Sequence, residues 1–327
     1  MGNKMVIVTG GAGFIGSAVV WELNRRGEKD IIIVDELGKD EKWKNLVGLK
    51  FDDFVNKNDF LELLNDGKYS ETDAIIHLGA NSSTTETDAD YLLTNNYKYT
   101  KTLAEYCLRN DIRFIYASSA ATYGDGSTGF DDDKTACGSL RPLNMYGYSK
   151  NLFDIWALNN NAFKDIVGIK YFNVYGPNEY HKADMRSVVH KAFEQIRDTG
   201  KVKLFKSGNP EYKDGEQMRD FIYVKSAVDM TLHFLDHREK SGLYNVGTGK
   251  SRTWNDLVSI LFTTMGVPVN IEYIDLPKHL TEKYQYFTEA PLTRIRDAGY
   301  TKPVMSIEDG ITDYVKNYLL GKQYLGM

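Results

Sequence analysis

The 327-residue sequence predicts an α/β fold, in which a doubly wound parallel sheet is joined to a second, smaller α/β domain. Apolar, strand-like runs alternate with helical stretches through the first half of the chain, as in units whose parallel strands are covered on both faces. Beyond residue 173 the elements become shorter and the loops more polar. We therefore expect residues 1–173 and about 219–250 to form the first domain, and residues of about 174–218 and 251–327 to form the second.

The first strand is predicted at 5–9, an apolar and β-branched run that leads directly into the glycine-rich segment 10–16. A helix is expected over 17–26, and a second strand over 31–34 that ends in Asp35. A strand, a glycine loop, a helix and a strand that ends in an acid form the fingerprint of a dinucleotide-binding Rossmann fold. Its glycines let the backbone approach a pyrophosphate at the helix N-terminus, which predicts a nicotinamide dinucleotide as cofactor.

Further strands are predicted at 74–77, 114–117, 166–172 and 243–246, with a long helix over 91–110. In open parallel sheets the ligand lies beyond the carboxyl ends of the strands. The segments expected to meet there are Gly10, Asp35, Leu78, Gly79, Ala80, Ser118, Ser119 and Asn173.

Tyr146 and Lys150 lie four residues apart on a predicted helix, so their side chains project from the same face, one turn apart. A free tyrosine has a pKa of roughly 10, which is too high for a base at neutral pH. We expect the lysine cation to lower the tyrosine pKa, and Ser119 to share the proton of a substrate alcohol. The three residues predict removal of a proton from an alcohol while a hydride leaves.

The composition argues against several other classes of protein. The net charge of −5 does not favour nucleic-acid or membrane-surface binding. No apolar run approaches the roughly 20 residues that span a bilayer, and the chain enters its first strand too early for a signal peptide. The two cysteines, Cys107 and Cys137, are typical of reduced thiols in a cytoplasmic protein. His233 and His237 lack a convergent third ligand, so we interpret them as a surface pair and expect no metal site.

Four features together resemble the extended short-chain dehydrogenase/reductase family: segment 9–16, Ser119, the Tyr146-x-x-x-Lys150 pair and segment 173–177. A narrower resemblance is to its ADP-heptose 6-epimerases, carried by segments 82–86, 116–124, 181–182, 219–221, 284–288 and 298–303. This resemblance implies inversion of C6″ of ADP-D-glycero-D-manno-heptose by transient oxidation with a bound cofactor, in the synthesis of a lipopolysaccharide inner-core precursor. It also implies that Lys182 is a second acid/base.

The resemblance further implies which residues bind the ligands. Lys42 and Lys57 match positions that hold a 2′-phosphate and favour NADP, whereas Asp35 and Glu36 suit the ribose diol of NAD, which stays an alternative. The expected cofactor site comprises Gly10, Gly13, Phe14, Ile15, Gly16, Asp35, Glu36, Lys42, Lys57, Leu78, Gly79, Ala80, Asn81, Ser82, Asn95, Lys150, Val174 and Lys182. The expected substrate site comprises Ser119, Asn173, Asp184, Lys191, Phe205, Arg219 and Tyr284.

Arg219 is the candidate for the substrate diphosphate, because a guanidinium binds phosphate oxygens bidentately; a salt bridge with Asp220 or a neighbouring residue is the alternative. Two positions and one loop depart from the family pattern. Leu78 stands where an acid is expected, Asp184 stands where a small residue is expected, and the loop over 207–218 is longer.

Three other functions compete with this interpretation. A 4,6-dehydratase needs an acid and a base directly after its catalytic hydroxyl, but Ala120 and Ala121 follow Ser119. A UDP-hexose 4-epimerase shares Tyr146 and Lys150 and differs only on the substrate side. A non-catalytic dinucleotide-binding sensor commonly lacks one of those two residues. We expect a homo-oligomer that acts on a small-molecule substrate, with no nucleic-acid or membrane partner.

Overall fold

A seven-stranded parallel sheet forms the centre of the computed structural model, which describes residues 5–277 and 284–327. The strands are β1 (Met5–Thr9), β2 (Ile31–Asp35), β3 (Asp53–Asn56), β4 (Thr72–His77), β5 (Arg113–Ser119), β6 (Val167–Tyr171), β7 (Asn173–Tyr175), β8 (Val202–Phe205), β9 (Met218–Tyr223), β10 (Gly242–Val246), β11 (Ser251–Thr253) and β12 (Ile271–Ile274). The central sheet has the order β10-β6-β5-β4-β1-β2-β3, and every pair in it is parallel. The predicted doubly wound sheet is confirmed.

Helices cover both faces of this sheet. They are α1 (Phe14–Arg25), α2 (Lys57–Asn65), α3 (Ala89–Leu92), α4 (Tyr99–Arg109), α5 (Met145–Asn159), α6 (Val188–Thr199), α7 (Val224–Asp236), α8 (Trp254–Met265), α9 (Thr293–Asp297) and α10 (Ile307–Tyr314). Helices α1 and α7 pack together on one face, against Val6 and Val8 of β1. Helices α2, α4 and α5 cover the other face, where Ile7 of the same strand points. Alternate residues of β1 are therefore buried on opposite sides.

Two smaller sheets lie beyond β6. Strands β7, β9 and β11 form one, and the parallel pair β8 and β12 forms the other. Helix α7 and strand β10 then return to the central sheet, where β10 is the edge strand beside β6. The division into two domains stays a prediction, and its ranges include residues 1–4 and 278–283, which lie outside the described residues.

One strand and one helix differ from the sequence-based expectation. Strand β3, at one edge of the central sheet, has no counterpart among the predicted strands. Only its Val55 is buried, so it lacks the apolar run that predicts the edge strand β10. The helix predicted over 91–110 is a continuous helical segment in which a π-helical turn, Leu93–Lys98, joins α3 to α4. Neither difference displaces the carboxyl ends of the central strands.

In the described part of the chain, no helix is both long enough and apolar enough to cross a bilayer. Over the same residues no cluster of three potential metal ligands is found. The interpretation of His233 and His237 as a surface pair is wrong for His233, which is buried and whose Nε2 lies 3.1 Å from the Ala298 carbonyl oxygen.

Candidate functional site

The glycine loop between β1 and α1 is shaped for close backbone approach. Gly10 has a φ of +68°, and a Cβ at this position would lie 2.6 Å from the Gly79 amide nitrogen. A Cβ on Gly16 would lie 2.0 Å from the Gly10 carbonyl oxygen. Only glycine fits at either position, so the loop can turn tightly and direct the N-terminus of α1 at an anion. This geometry fits the pyrophosphate of a dinucleotide.

The acids and lysines expected to contact the cofactor ribose pair with one another. Asp35 is buried; its Oδ2 accepts a hydrogen bond from the Ala12 amide at 3.0 Å, and its Oδ1 lies 2.6 Å from Lys42 Nζ. Glu36 forms an ion pair with Lys57 at 2.8 Å. Both cations therefore stand at the rim of the site, each held by a neighbouring carboxylate.

Two adjoining cavities, of about 470 and 340 Å³, occupy the carboxyl ends of β1, β2, β4, β5 and β6. Every residue expected to bind the cofactor lines one or both of them. Tyr146, Lys150, Ser119 and Lys182 all line the larger cavity, together with Asn173. The predicted cofactor-binding and catalytic residues thus share one crevice.

The Tyr146 and Lys150 side chains are held by the start of α5, whose N-terminus is capped by Asn144 through the Gly147 amide at 2.8 Å. The Ser119 side chain lies near the Tyr146 hydroxyl and favours its ionised form. Lys150 Nζ donates to the carbonyl oxygen of residue 117 at 2.8 Å. These contacts join the helix to the end of β5, so that serine, tyrosine and lysine have fixed relative positions.

The structure distinguishes the two neighbouring serines of β5. Ser118 also borders the crevice, but its hydroxyl is donated to the buried Asp154 at 2.7 Å. Ser119 lines the crevice, and its Oγ accepts the Ala121 amide at 3.1 Å. Because successive side chains of a strand point to opposite sides, only one of the pair can reach a ligand.

The pKa values of the pair differ from the sequence-based expectation in one respect. Burial raises the pKa of Tyr146, and the hydrogen bond from Ser119 acts in the opposite direction. This is contrary to the lowering expected from Lys150, because burial disfavours the charged phenolate. Burial also lowers the pKa of Lys150 to about 8, opposed by the charge of Asp154.

Lys182 lies across the crevice on the 3₁₀ helix Tyr180–Met185. Its ammonium is 5.5 Å from the centroid of the Phe14 ring. Burial lowers its pKa, against the opposing charge of Glu179. The next residue, Ala183, has φ 45° and ψ −123°, a conformation that a non-glycine residue rarely adopts. The backbone that carries Lys182 is therefore locally strained.

Arg219 is buried between aromatic rings, with its guanidinium carbon 5.7 Å from the Trp254 ring centroid and 5.4 Å from that of Tyr284. Its hydrogen bonds go to the carbonyl oxygens of Met218 and Gln285. Among residues 5–277 and 284–327 no carboxylate forms an ion pair with it. Burial lowers its pKa to about 10, so the side chain is charged at neutral pH.

The alternative of a salt bridge between Arg219 and Asp220 is wrong. Asp220 points to the other side of β9, where its carboxylate accepts hydrogen bonds from Thr248, Gly249 and Ala290 at 2.7 to 3.1 Å. An acid that already accepts four hydrogen bonds organises the turn after β10. The guanidinium lies on the opposite side of the strand, where it donates to the carbonyl oxygens of Met218 and Gln285.

A third cavity, of about 710 Å³, adjoins the crevice. Of the residues expected to bind substrate, Lys191, Phe205 and Tyr284 line it. Arg219 lines none of the three cavities and lies behind Trp254 and Tyr284, which border the third. Asp184 is exposed and lines none of the three cavities; only its carbonyl oxygen accepts a bond from Lys191, at 3.3 Å. A direct role of the Asp184 side chain in substrate binding therefore has no support in this geometry.

Sequence reasoning missed several residues that line the site. Trp254 and Val188 border both the crevice and the third cavity and so connect them. Glu179 and His181 flank Lys182 and also line the crevice. Trp254 and Val188 begin helices α8 and α6, and only the packing of these helices brings them to the site, whereas His181 stands beside Lys182 in a segment that the resemblance had already singled out.

Comparisons with known proteins agree with this geometry. The model of the NAD dependent epimerase/dehydratase family matches residues 6–247. An ADP-L-glycero-D-manno-heptose-6-epimerase of Nitratidesulfovibrio vulgaris strain Hildenborough is 54% identical over 316 residues, covering 96% of this chain and 98% of its own length. The Fusobacterium nucleatum protein of the same name is 48% identical over 325 residues, with coverage of 96% and 98%.

Solved structures share the fold of this chain. The crystal structure of Helicobacter pylori ADP-L-glycero-D-manno-heptose-6-epimerase superposes with a TM-score of 0.81 at 30% identity and covers 96% of both chains. A UDP-N-acetylglucosamine 4-epimerase from Methanobrevibacter ruminantium has a TM-score of 0.83 at 23% identity, covering 99% of this chain and 100% of its own, and shares the fold. The chain belongs to the NAD dependent epimerase/dehydratase family and, within it, to the family of ADP-L-glycero-D-manno-heptose-6-epimerases.

Proposed function

We propose that this protein is an isomerase that inverts C6″ of ADP-D-glycero-D-manno-heptose to give the L-glycero epimer, with NADP held in the crevice. The observation that carries the proposal is the placement of two proton-transferring side chains, Tyr146 and Lys182, on different elements around one cavity. Inversion requires proton transfer on two sides of a carbonyl carbon. A site with a single acid/base group would not meet that requirement equally well.

The cofactor fits the residues present, because the glycine loop admits no side chain at Gly10 or Gly16 where a pyrophosphate would approach. When bound, a nicotinamide dinucleotide supplies reversible acceptance of a hydride. The chain would hold it through the N-terminus of α1 and through Lys150, which lines the same cavity as the glycine loop. The family membership supports this class of cofactor.

Tyr146 is the proposed base for the C6″ hydroxyl of one epimer. It accepts the hydroxyl proton while Ser119 hydrogen-bonds the same oxygen, and the Lys150 ammonium stabilises the phenolate. Oxidation of the carbinol leaves a planar ketone, which can regain a hydride on its other face if the side chain turns over within the site. Lys182 is the proposed acid that returns a proton to the oxygen in that second orientation. Its lowered pKa suits a group that must give and take a proton near neutrality.

Arg219 is the proposed partner of the ADP diphosphate. Its buried charge has no carboxylate partner in the described part of the chain, and an anion would compensate the cost of desolvation. Phe205 and Tyr284 border the third cavity and offer apolar faces to the adenine or the sugar, while Lys191 adds a cation at its edge. This placement supports a nucleotide sugar as substrate.

The preference for NADP is proposed from the lysines at the ribose end. In the proposed complex the 2′-phosphate replaces Asp35 and Glu36 as the partner of Lys42 and Lys57, and it accepts charge-assisted hydrogen bonds from both lysines. NAD would instead offer its ribose diol to Asp35. Nucleotide released from the denatured protein, identified by chromatography, decides between them. Lys42→Ala and Lys57→Ala should each weaken NADP binding more than NAD binding; equal weakening would contradict the assignment.

The main experiment incubates the purified protein with ADP-D-glycero-D-manno-heptose and follows the appearance of the C6″ epimer by NMR. UDP-glucose serves as the control substrate, since it tests the alternative of a UDP-hexose 4-epimerase. Conversion of the heptose without conversion of UDP-glucose is expected. Turnover of UDP-glucose alone would overturn the substrate assignment, and tight cofactor binding without any turnover would favour a sensor. Light scattering tests the further proposal of a homo-oligomer, and cell fractionation tests that of a cytoplasmic location.

A further inference from the structure

A buried group of polar side chains lies beneath α5, behind the proposed catalytic residues. Asp154 follows Lys150 by one helical turn, and its side chain is fully buried. Lys170 on β6 is equally enclosed, and its Nζ lies 2.8 Å from Asp154 Oδ2. Tyr116 and Ser118 of β5 each donate a hydrogen bond to the same carboxylate at 2.7 Å. Helix α5 is thus joined to two central strands by one carboxylate.

The contacts of Lys170 extend to the turn that carries Ser119. Lys170 Nζ also donates to Thr122 Oγ1 at 2.6 Å, and the Thr122 hydroxyl donates to the Ser119 carbonyl oxygen at 2.8 Å. On the other side of the carboxylate, Lys150 is fixed to the backbone of β5. The ion pair therefore lies between the contacts that hold Ser119 and those that hold Lys150, and both of these residues line the crevice.

Stability by itself is a weak reason for a pair in this position. Removing two charges from water costs about as much free energy as their attraction returns, and apolar residues of similar volume often stabilise a core as well or better. Each charge is costly, however, when its partner is lost. We therefore look for a role of the enclosed Asp154–Lys170 pair in the neighbouring site that contains Lys150.

We propose that Asp154 and Lys170 are positioning residues for the proposed epimerisation. The pair holds Ser119 and Lys150 in fixed relation across β5 and α5, and the charge of Asp154, which Lys170 balances, acts on the Lys150 ammonium. This inference rests on the proposed roles of Ser119 and Lys150.

The titratable groups packed around Lys150 and Asp154 lie on four elements. His77 at the end of β4 is neutral, since burial lowers its pKa to about 3. Tyr116 on β5 and Tyr146 on α5 are uncharged at neutral pH, because burial raises both pKa values. Asp154 is the negative charge that opposes the effect of burial on the pKa of Lys150, and Lys170 on β6 is the positive charge beside it.

The test uses two single variants with opposite expected effects. Asp154→Asn removes the negative charge, so Lys150 should lose its proton more readily, and the alkaline limb of the kcat–pH profile should move down by about one pH unit. Lys170→Met leaves Asp154 in place, and the limb should move up by a similar amount. If the pair had a purely structural role, kcat would fall in both variants, but the alkaline limbs of their two pH profiles would not move in opposite directions.

A double variant covers the case in which a single variant does not fold. Asp154→Asn with Lys170→Met removes both charges, and Tyr116→Phe is the matched control that removes a donor to Asp154 without changing charge. The double variant should fold, as judged by circular dichroism and urea unfolding. Its kcat should fall about 10-fold at unchanged KM, because Ser119 loses its support. A double variant with the wild-type kcat and pH profile would overturn the inference.

NADP binding gives a second readout that does not depend on turnover. Calorimetry at pH 7 and pH 9 should show that binding by Asp154→Asn weakens at a lower pH than binding by the wild type, because Lys150 is the proposed ribose ligand. If the wild-type protein does not convert the heptose, the proposed function fails while this titration still tests the inference. If the wild type is active and neither charge variant moves the kcat or binding profile, only the inference fails.

Discussion

The buried guanidinium of Arg219 allows a prediction in which ligand binding and stability respond differently. A pKa of about 10 in place of 12.5 means that burial disfavours the charged form by about 3 kcal/mol. The two hydrogen bonds to the carbonyl oxygens of Met218 and Gln285 return about 1.5 kcal/mol each, the lower end of the range for a charged donor. The two contributions nearly cancel, so Arg219→Met should change the free energy of unfolding by no more than about 1 kcal/mol.

The effect of the same substitution on ligand binding should be much larger. The guanidinium would lose charge-assisted hydrogen bonds to the ADP diphosphate worth about 3 kcal/mol in total, which is roughly a 100-fold increase in the Kd for ADP. Arg219→Lys keeps the charge but loses the fork geometry and the stacking on Trp254 and Tyr284, so its Kd should lie between those of the wild type and Arg219→Met.

The assay is isothermal titration calorimetry with ADP, combined with urea unfolding of each variant. NADP is the control ligand, because Arg219 lies between residues of the third cavity and not at the cofactor loop. Two results would refute the reasoning. An unchanged Kd for ADP would show that the guanidinium does not meet the diphosphate, and destabilisation by about 3 to 5 kcal/mol would show that it belongs to a buried ion pair.

Three further predictions concern the site. Tyr146→Phe should reduce kcat by about 100-fold or more in the NMR assay, whereas Tyr148→Phe, on an exposed tyrosine of the same helix, should not; near-wild-type activity of the first would remove Tyr146 from its role. The wild-type rate should fall above about pH 8, because the lowered pKa of Lys150 makes its amine neutral there and leaves the phenolate without a cation; a flat profile to pH 10 would argue against that role. Ala183→Gly should raise the free energy of unfolding in urea by about 1 kcal/mol, since glycine adopts the backbone angles of residue 183 without strain, and a lower value would mean that the strain is not real.

Much of the fold and half of the site could be predicted from local sequence. Strands β1 and β2 are buried on both faces, so they read as continuous apolar runs. Tyr146 and Lys150 share a helix, so their spacing alone places them on one face. Strand β3 could not be predicted in this way, because it is a short edge strand with mostly exposed side chains.

Other properties of the site depend on residues far apart in the chain. The choice of Ser119 over Ser118 depends on Asp154, 36 residues beyond Ser118, which takes the hydroxyl of the first serine into the core. Arg219 meets Tyr284 and Trp254 only through packing of the second part of the chain. No periodicity of sequence indicates such pairings.

The sequence by itself determined the parallel sheet, the glycine loop and the pairing of a phenol with an ammonium, because each depends on residues within one turn or one strand. Only the tertiary structure decided which way the pKa of Tyr146 moves, which carboxylates hold Lys42 and Lys57, and which charges surround Lys150. The physical reason is that desolvation and charge pairing depend on everything that packs around a group. Those neighbours come from segments whose separation along the chain says nothing of their distance in space.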